Sequence, residues 1–115
     1  LPLRSDGTGE QTRDMCYIDN IVSANILAMN YGARLSGQCL NVACESRVSN
    51  NEILAALSEK FDFRVSHAPP RAGDVMHTLA DVSETRKLLG YEPLVHFWEG
   101  LEKTIEWWEL EQSSD

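Results

Sequence analysis

A chain of 115 residues, 43% hydrophobic and 24% charged, has the size and balance of one modest soluble domain. Its formal net charge of −8 argues against nucleic acid as a partner, which needs a basic face, but leaves room for a small anion held by local arginines. The longest apolar runs are too short to span a bilayer, and no charged stretch followed by an apolar one opens the chain as a secretory leader would. Cys16, Cys39 and Cys44 are odd in number and lack C-x-x-C spacing, which fits a reducing, cytoplasmic setting with each thiol acting as a small buried hydrophobe. The opening Leu1-Pro2-Leu3 has no initiating Met and reads as the start of a piece cut from something longer.

Taken in order, Asp6-Gly7-Thr8-Gly9 is a turn signal, and the residues around it predict a short hairpin of Pro2–Ser5 and Thr12–Ile18. The G-x-G inside it lacks the third glycine and the preceding apolar strand of a dinucleotide fingerprint. Asp19 is placed to cap a helix running to about Tyr31 and ended by Gly32. Ile21, Ala24 and Ala28 lie on one side of that helix and Val22, Ile26 and Met29 on another, so it expects cover on several sides. Cys39-Leu40-Asn41-Val42-Ala43 is apolar enough for a short, buried, parallel strand.

Ser49-Asn50-Asn51-Glu52 is a capping box, and the helix it opens carries Ile53, Leu54, Leu57 and Phe61. Phe63–His67 alternates as a strand should, and His77–Ala80 reads as a brief extended segment. Asp81 or Ser83 caps a short helix through Leu88 and Leu89 that stops at Gly90. A final helix from near Phe97 to about Leu110 repeats Phe97, Leu101, Ile105 and Trp108 at helical spacing, a packing stripe with glutamates turned away from it. The order of elements predicts an α/β fold with a small, largely parallel sheet and a helix-rich end.

The stretch between those last strands and helices carries the chemistry. Pro69-Pro70-Arg71-Ala72-Gly73-Asp74-Val75 sets a guanidinium fork, a carboxylate and a flexible glycine behind a stiff lead. Arg13-Asp14 offers a second arginine beside an aspartate. Two such arginines converging from different loops would hold a diphosphate; apart, each is a surface ion pair worth little. There is no G-x-S-x-G elbow, no Walker loop and no helical pairing of His67, His77 and His96 to suggest zinc.

Gly9-Glu10-Gln11-Thr12-Arg13-Asp14-Met15-Cys16-Tyr17-Ile18-Asp19-Asn20 resembles the G-x-x-x-R-D-F-x-Y-[VI]-x-[DN] stretch of the extended short-chain dehydrogenase/reductase family. Asn41-Val42-Ala43 with Ser49–Ile53 is similar to its N-V-[AG]…[ST]-x-x-E-[LI] passage, and Pro70–His77 to its P-x-R-x-G-D-V-R-H loop. Ala80-Asp81-Val82-Ser83, Leu88–Pro93 and Glu99-Gly100-Leu101 match its A-D-x-S, L-L-G-[YW]-x-P and E-G-L runs. The match covers nearly the whole chain in order and lies nearest the UDP-N-acetylglucosamine and UDP-glucose 4-epimerases.

The resemblance implies that residues 1–115 are one C-terminal nucleotide-sugar-binding region. It implies that Arg13 and Arg71 contact the diphosphate, that Asp74 bonds the ribose and that Thr78 lies near the uridine. The family's NAD-binding G-x-x-G-x-x-G and catalytic Tyr-x-x-x-Lys belong to its N-terminal part and do not occur in these residues, so no cofactor is expected to bind here and no catalytic residue is assigned. Met15 stands where an aromatic is usual, Glu45 where glycine is common, and Met76 where arginine is frequent. Two readings follow. One is a UDP-sugar-binding portion of an epimerase-like protein, not competent alone. The other is a self-associating module descended from one, using surface that the N-terminal domain would normally cover.

Overall fold

In the computed structural model, which describes residues 2–113, the chain forms four strands and four helices. They are β1 (Pro2–Asp6), β2 (Thr12–Arg13), α1 (Ile18–Met29), β3 (Val48–Ser49), α2 (Asn50–Ser58), β4 (Arg64–Ala68), α3 (Ser83–Leu89) and α4 (Phe97–Gln112). They fall into two compact units. The first joins the segment ending at Asp14 to Arg47–Leu79; the second joins Met15–Ser46 to the segment beginning at Ala80.

In the first unit β1 pairs parallel with β4, Leu3 opposite Val65 and Asp6 opposite Ala68. The pairing continues one residue further, where Gly7 N–H donates to Ala68 O at 2.9 Å. β2 pairs antiparallel with β3, Thr12 opposite Ser49. The expected hairpin is therefore absent: the turn at Asp6–Gly9 does not fold β1 back onto β2 but hands each strand to a different, distant partner. A turn signal is local and reports a change of direction, not which strand lies alongside.

The loop after β1 is pinned to the start of α2. Asn51 N–H donates to Gly9 O at 3.0 Å, and the Asn51 amide donates to Thr8 O at 3.1 Å and Glu10 Oε1 at 2.6 Å. A Cβ at Gly9 would lie 1.9 Å from Asn51 Oδ1, and Gly9 has φ +79°, so both space and backbone demand glycine there. The capping box forms as expected, with Ser49 Oγ accepting from Glu52 N–H at 3.2 Å and Glu52 Oε2 accepting from Ser49 N–H at 2.7 Å. That bond from the Ser49 backbone holds the Glu52 carboxyl below its ordinary range. The expected extended segment at His77–Ala80 reduces to an isolated parallel bridge between Thr12 and His77.

The second unit is helical. Ala24, Ala43, Val82 and Tyr91 form its buried centre, with Leu27, Val42 and Ala80 packed against them. The strand expected at Cys39–Ala43 is absent, because that unit offers no strand for it to pair with among the described residues. Side chains take its carbonyls instead: Thr85 Oγ1 donates to Asn41 O at 2.5 Å, and the fully buried Tyr91 hydroxyl donates to Ala43 O at 2.8 Å. Asn20 is also fully buried. Its Oδ1 accepts from Leu94 N–H at 2.8 Å and Val95 N–H at 3.0 Å, and its Nδ2 donates to Val95 O at 2.8 Å and Cys44 Sγ at 3.2 Å.

Helix α1 begins after Tyr17, two residues earlier than an Asp19 cap would set it, and Asp19 sits in its first turn. Ala24 faces the core while Ile18, Val22, Ile26 and Met29 are exposed. The Asp81 carboxylate accepts from Ser83 N–H at 2.9 Å at the start of α3, and Gly90 ends it with φ +68°. On α4 the stripe is only partly buried: Phe97 and Ile105 are inside, but Trp108 is exposed. Gly100 lets α4 close onto Tyr17, whose Cβ lies 2.7 Å from where a Cβ at Gly100 would be. No helix among the described residues is long and apolar enough to cross a membrane.

Candidate functional site

The site is built wholly within the first unit. Parallel pairing of β1 with β4 brings the loop that follows β4 beside the end of β1. Thr12 then ties β2 to the far side of that loop, its N–H donating to Met76 O at 2.8 Å and its carbonyl accepting from Thr78 N–H at 3.1 Å. The result is an open basin of about 440 Å³ lined by Arg4, Asp6, Gln11, Arg13, Asn50 and the Arg71–Asp74 loop. Gly73, at φ +81°, makes the turn in that loop, and Asp74 N–H closes it on Arg71 O at 3.2 Å.

Arg13, Arg71 and Asp74 thus share one basin, although Arg13 and Asp74 are 61 residues apart in the chain. Arg13 is the most tightly fixed. Its Nη2 donates to Asp74 Oδ1 at 2.7 Å, and its Nη1 donates to Thr12 O at 2.8 Å and Met76 O at 3.4 Å. Asp74, expected at a ribose, here braces Arg13. Thr78 is exposed and does not line the basin; its backbone serves the Thr12 pairing instead. The Thr12 hydroxyl meets His77 Nδ1 at 2.9 Å.

Sequence reasoning missed Arg4 and Asp6. Asp6 Oδ1 accepts from Arg4 Nε at 2.6 Å, and Asp6 Oδ2 pairs with Arg71 Nε at 2.5 Å. The Arg4 bond, with Arg71 beside it, holds the Asp6 carboxyl below its ordinary range against the opposing pull of burial. The available signal was the period of two: Arg4 and Asp6 stand two apart on one strand, on one face, just ahead of Arg13. Three guanidinium groups face two carboxylates, which leaves the basin one net positive charge on a chain of net charge −8. Such a basin favours a compact anion over the rest of the surface.

A nicotinamide dinucleotide would need a glycine-rich cradle, and the Gly7–Gly9 loop does not fit one. Its close approach is already taken by the Asn51 side chain, and it leads into β2 rather than into a helix N-terminus.

The chain is similar to UDP-sugar epimerases. It is 34% identical over 103 residues to UDP-glucose 4-epimerase of Mycolicibacterium smegmatis, covering 87% of this chain and 32% of that one. Among solved structures, UDP-glucose 4-epimerase of Thermotoga maritima with UDP-glucose superposes with a TM-score of 0.84 at 32% identity, covering 96% of this chain and 36% of that one. UDP-glucuronic acid 4-epimerase of Bacillus cereus, in complex with UDP-glucuronic acid and NAD, superposes with a TM-score of 0.79 at 29% identity, over 88% of this chain and 33% of that one. No family model matches the sequence.

Over nearly its whole length the chain is similar to one part of the epimerases and dehydratases of the extended short-chain dehydrogenase/reductase family, as its motifs implied. It spans about a third of the length of the UDP-sugar 4-epimerases it matches.

Proposed function

We propose that this chain is the nucleotide-sugar-holding portion of an epimerase-like protein, one that binds a UDP-sugar through its diphosphate and does not turn it over with these residues alone. The single observation that carries the reading is the convergence of Arg13 and Arg71 on one basin with a net positive charge. A pyrophosphate brings two negative charges and acceptors on both phosphorus centres, which suits guanidinium forks already fixed in place. Asp74, holding Arg13 at 2.7 Å, orients one fork and is the proposed acceptor for a ribose hydroxyl. Three cysteines without C-x-x-C spacing fit a reducing compartment.

The test is a titration of the full chain with UDP-N-acetylglucosamine, followed by melting temperature and amide shifts. At a hundred times its dissociation constant a ligand adds about 2.7 kcal/mol of stability. Arg71→Ala is expected to abolish the response. No response of the unchanged chain at millimolar ligand would refute the reading.

One observation supports the self-associating module as the second reading. Ile18, Val22, Ile26 and Met29 form an exposed apolar stripe along α1, with Met29 83% exposed. Sedimentation of the purified chain over a range of concentrations separates the two: a monomer at every concentration removes the module.

A further inference from the structure

Asp6 has both carboxylate oxygens taken, one by Arg4 and one by Arg71, and each arginine is engaged through Nε. A guanidinium held by Nε keeps its terminal Nη groups free to turn outward. Both side chains are well exposed, 64% for Arg4 and 71% for Arg71, while the carboxylate between them is 13% exposed. All three residues line the same basin. Two like charges so placed repel unless a carboxylate lies between them, and here one does.

Arg13 is placed differently. Three acceptors already occupy its Nη groups, and its side chain is 30% exposed. It serves as a fixed wall, with two of its five N–H donors left for a ligand.

We infer that Arg4 is a ligand-binding residue of this basin, joined to Arg71 by Asp6 into a two-pronged clip for a diphosphate, with Arg13 as its rigid backstop. The inference rests on the proposed nucleotide-diphosphate reading of the same basin and assigns the work to a different pair of arginines within it. It also defines the ligand class: each prong takes one phosphoryl group, so a diphosphate engages both and a monophosphate engages one.

The test measures inorganic pyrophosphate and inorganic phosphate binding to the full chain by calorimetry and amide shifts. Arg4→Gln is compared with Arg71→Gln and with Arg64→Gln. Arg64 is an exposed β4 arginine outside the basin, so its variant removes the same charge elsewhere. Arg4→Gln is expected to weaken pyrophosphate at least tenfold and to erase most of its advantage over phosphate, with Arg64→Gln within twofold of the unchanged chain. Asp6→Asn is expected to keep the fold, judged by an unchanged amide spectrum away from the basin, while losing the preference for pyrophosphate. If Arg4→Gln behaves like Arg64→Gln while Arg71→Gln loses binding, the clip is wrong and the nucleotide-diphosphate reading stands. If the unchanged chain binds no pyrophosphate, both fall.

Discussion

Asn20→Ala is expected to be among the most destabilising polar substitutions in the second unit. The side chain is fully buried and makes four hydrogen bonds, three of them to the backbone of Leu94 and Val95. Truncation leaves the Val95 N–H without the partner the fold supplied and leaves the Val95 carbonyl only the weak Cys44 thiol donor at 3.7 Å. Val95 is buried, so water reaches those groups poorly, whereas Leu94 is exposed and its N–H can recover a bond to solvent. An orphaned buried polar group costs about 1–3 kcal/mol, so one at Val95, a weakened second and a small cavity give a loss of about 2–4 kcal/mol. That is a large part of a small unit's total stability. All three tryptophans, Trp98, Trp107 and Trp108, lie on α4, so urea unfolding followed by tryptophan fluorescence reports this unit. Asn20→Asp should be no better, since it keeps an acceptor but loses both donated bonds and buries a carboxyl. A loss under about 1 kcal/mol for Asn20→Ala at unchanged m-value would refute the reasoning.

Three further outcomes are expected. Ser49→Ala should cost about 1 kcal/mol through the lost cap, measured by denaturation followed at first-unit amides. Because the folded-state Glu52 carboxyl is held below its ordinary 4.5, its contribution is present above that value and lost as pH falls through the lower folded one. An acid titration of the unchanged chain should show that loss below pH 4.5, and Ser49→Ala should flatten it. Gly9→Ala should destabilise the first unit by about 1–2 kcal/mol at least, since its φ of +79° is unfavourable for any other residue and the new Cβ displaces Asn51; faster hydrogen exchange at the β1–β4 pairing checks it. Iodoacetamide should label the exposed Cys39 first, while Cys16, whose thiol is pushed up to about 11 by burial and the neighbouring Cys44, stays slow until pH nears that value. Peptide mapping of labelled protein at pH 8 decides it, and equal labelling of the two would contradict the burial argument.

What the sequence made legible was what local physics decides. The capping box at Ser49–Glu52 and the stop at Gly90 depend on residues within one turn, and both form as read. β4 falls within one residue of its expected place because its alternation is a property of the strand itself. Pairing was not legible, since β1 finds β4 across most of the unit's sequence and no turn chemistry encodes that choice. Cys39–Ala43 had the composition of a buried strand, but a strand needs a neighbour as well as apolar residues. The meeting of Arg13 with Arg71 follows from residue type and resemblance rather than from spacing, and geometry brings them to one basin. Arg4 and Asp6 were overlooked because the turn signal that follows them drew the whole stretch into a hairpin.

The parallel pairing of β1 with β4 has a consequence for how the molecule is made. The two partners are separated by β2, α1, β3 and α2, so β1 emerges from the ribosome long before its mate exists. Until residue 68 has cleared the exit tunnel, Pro2–Asp6 lacks its β4 partner. Closure of such a long loop is slow compared with helix formation, so the helices should be in place first and the arginine basin should be the last feature to mature.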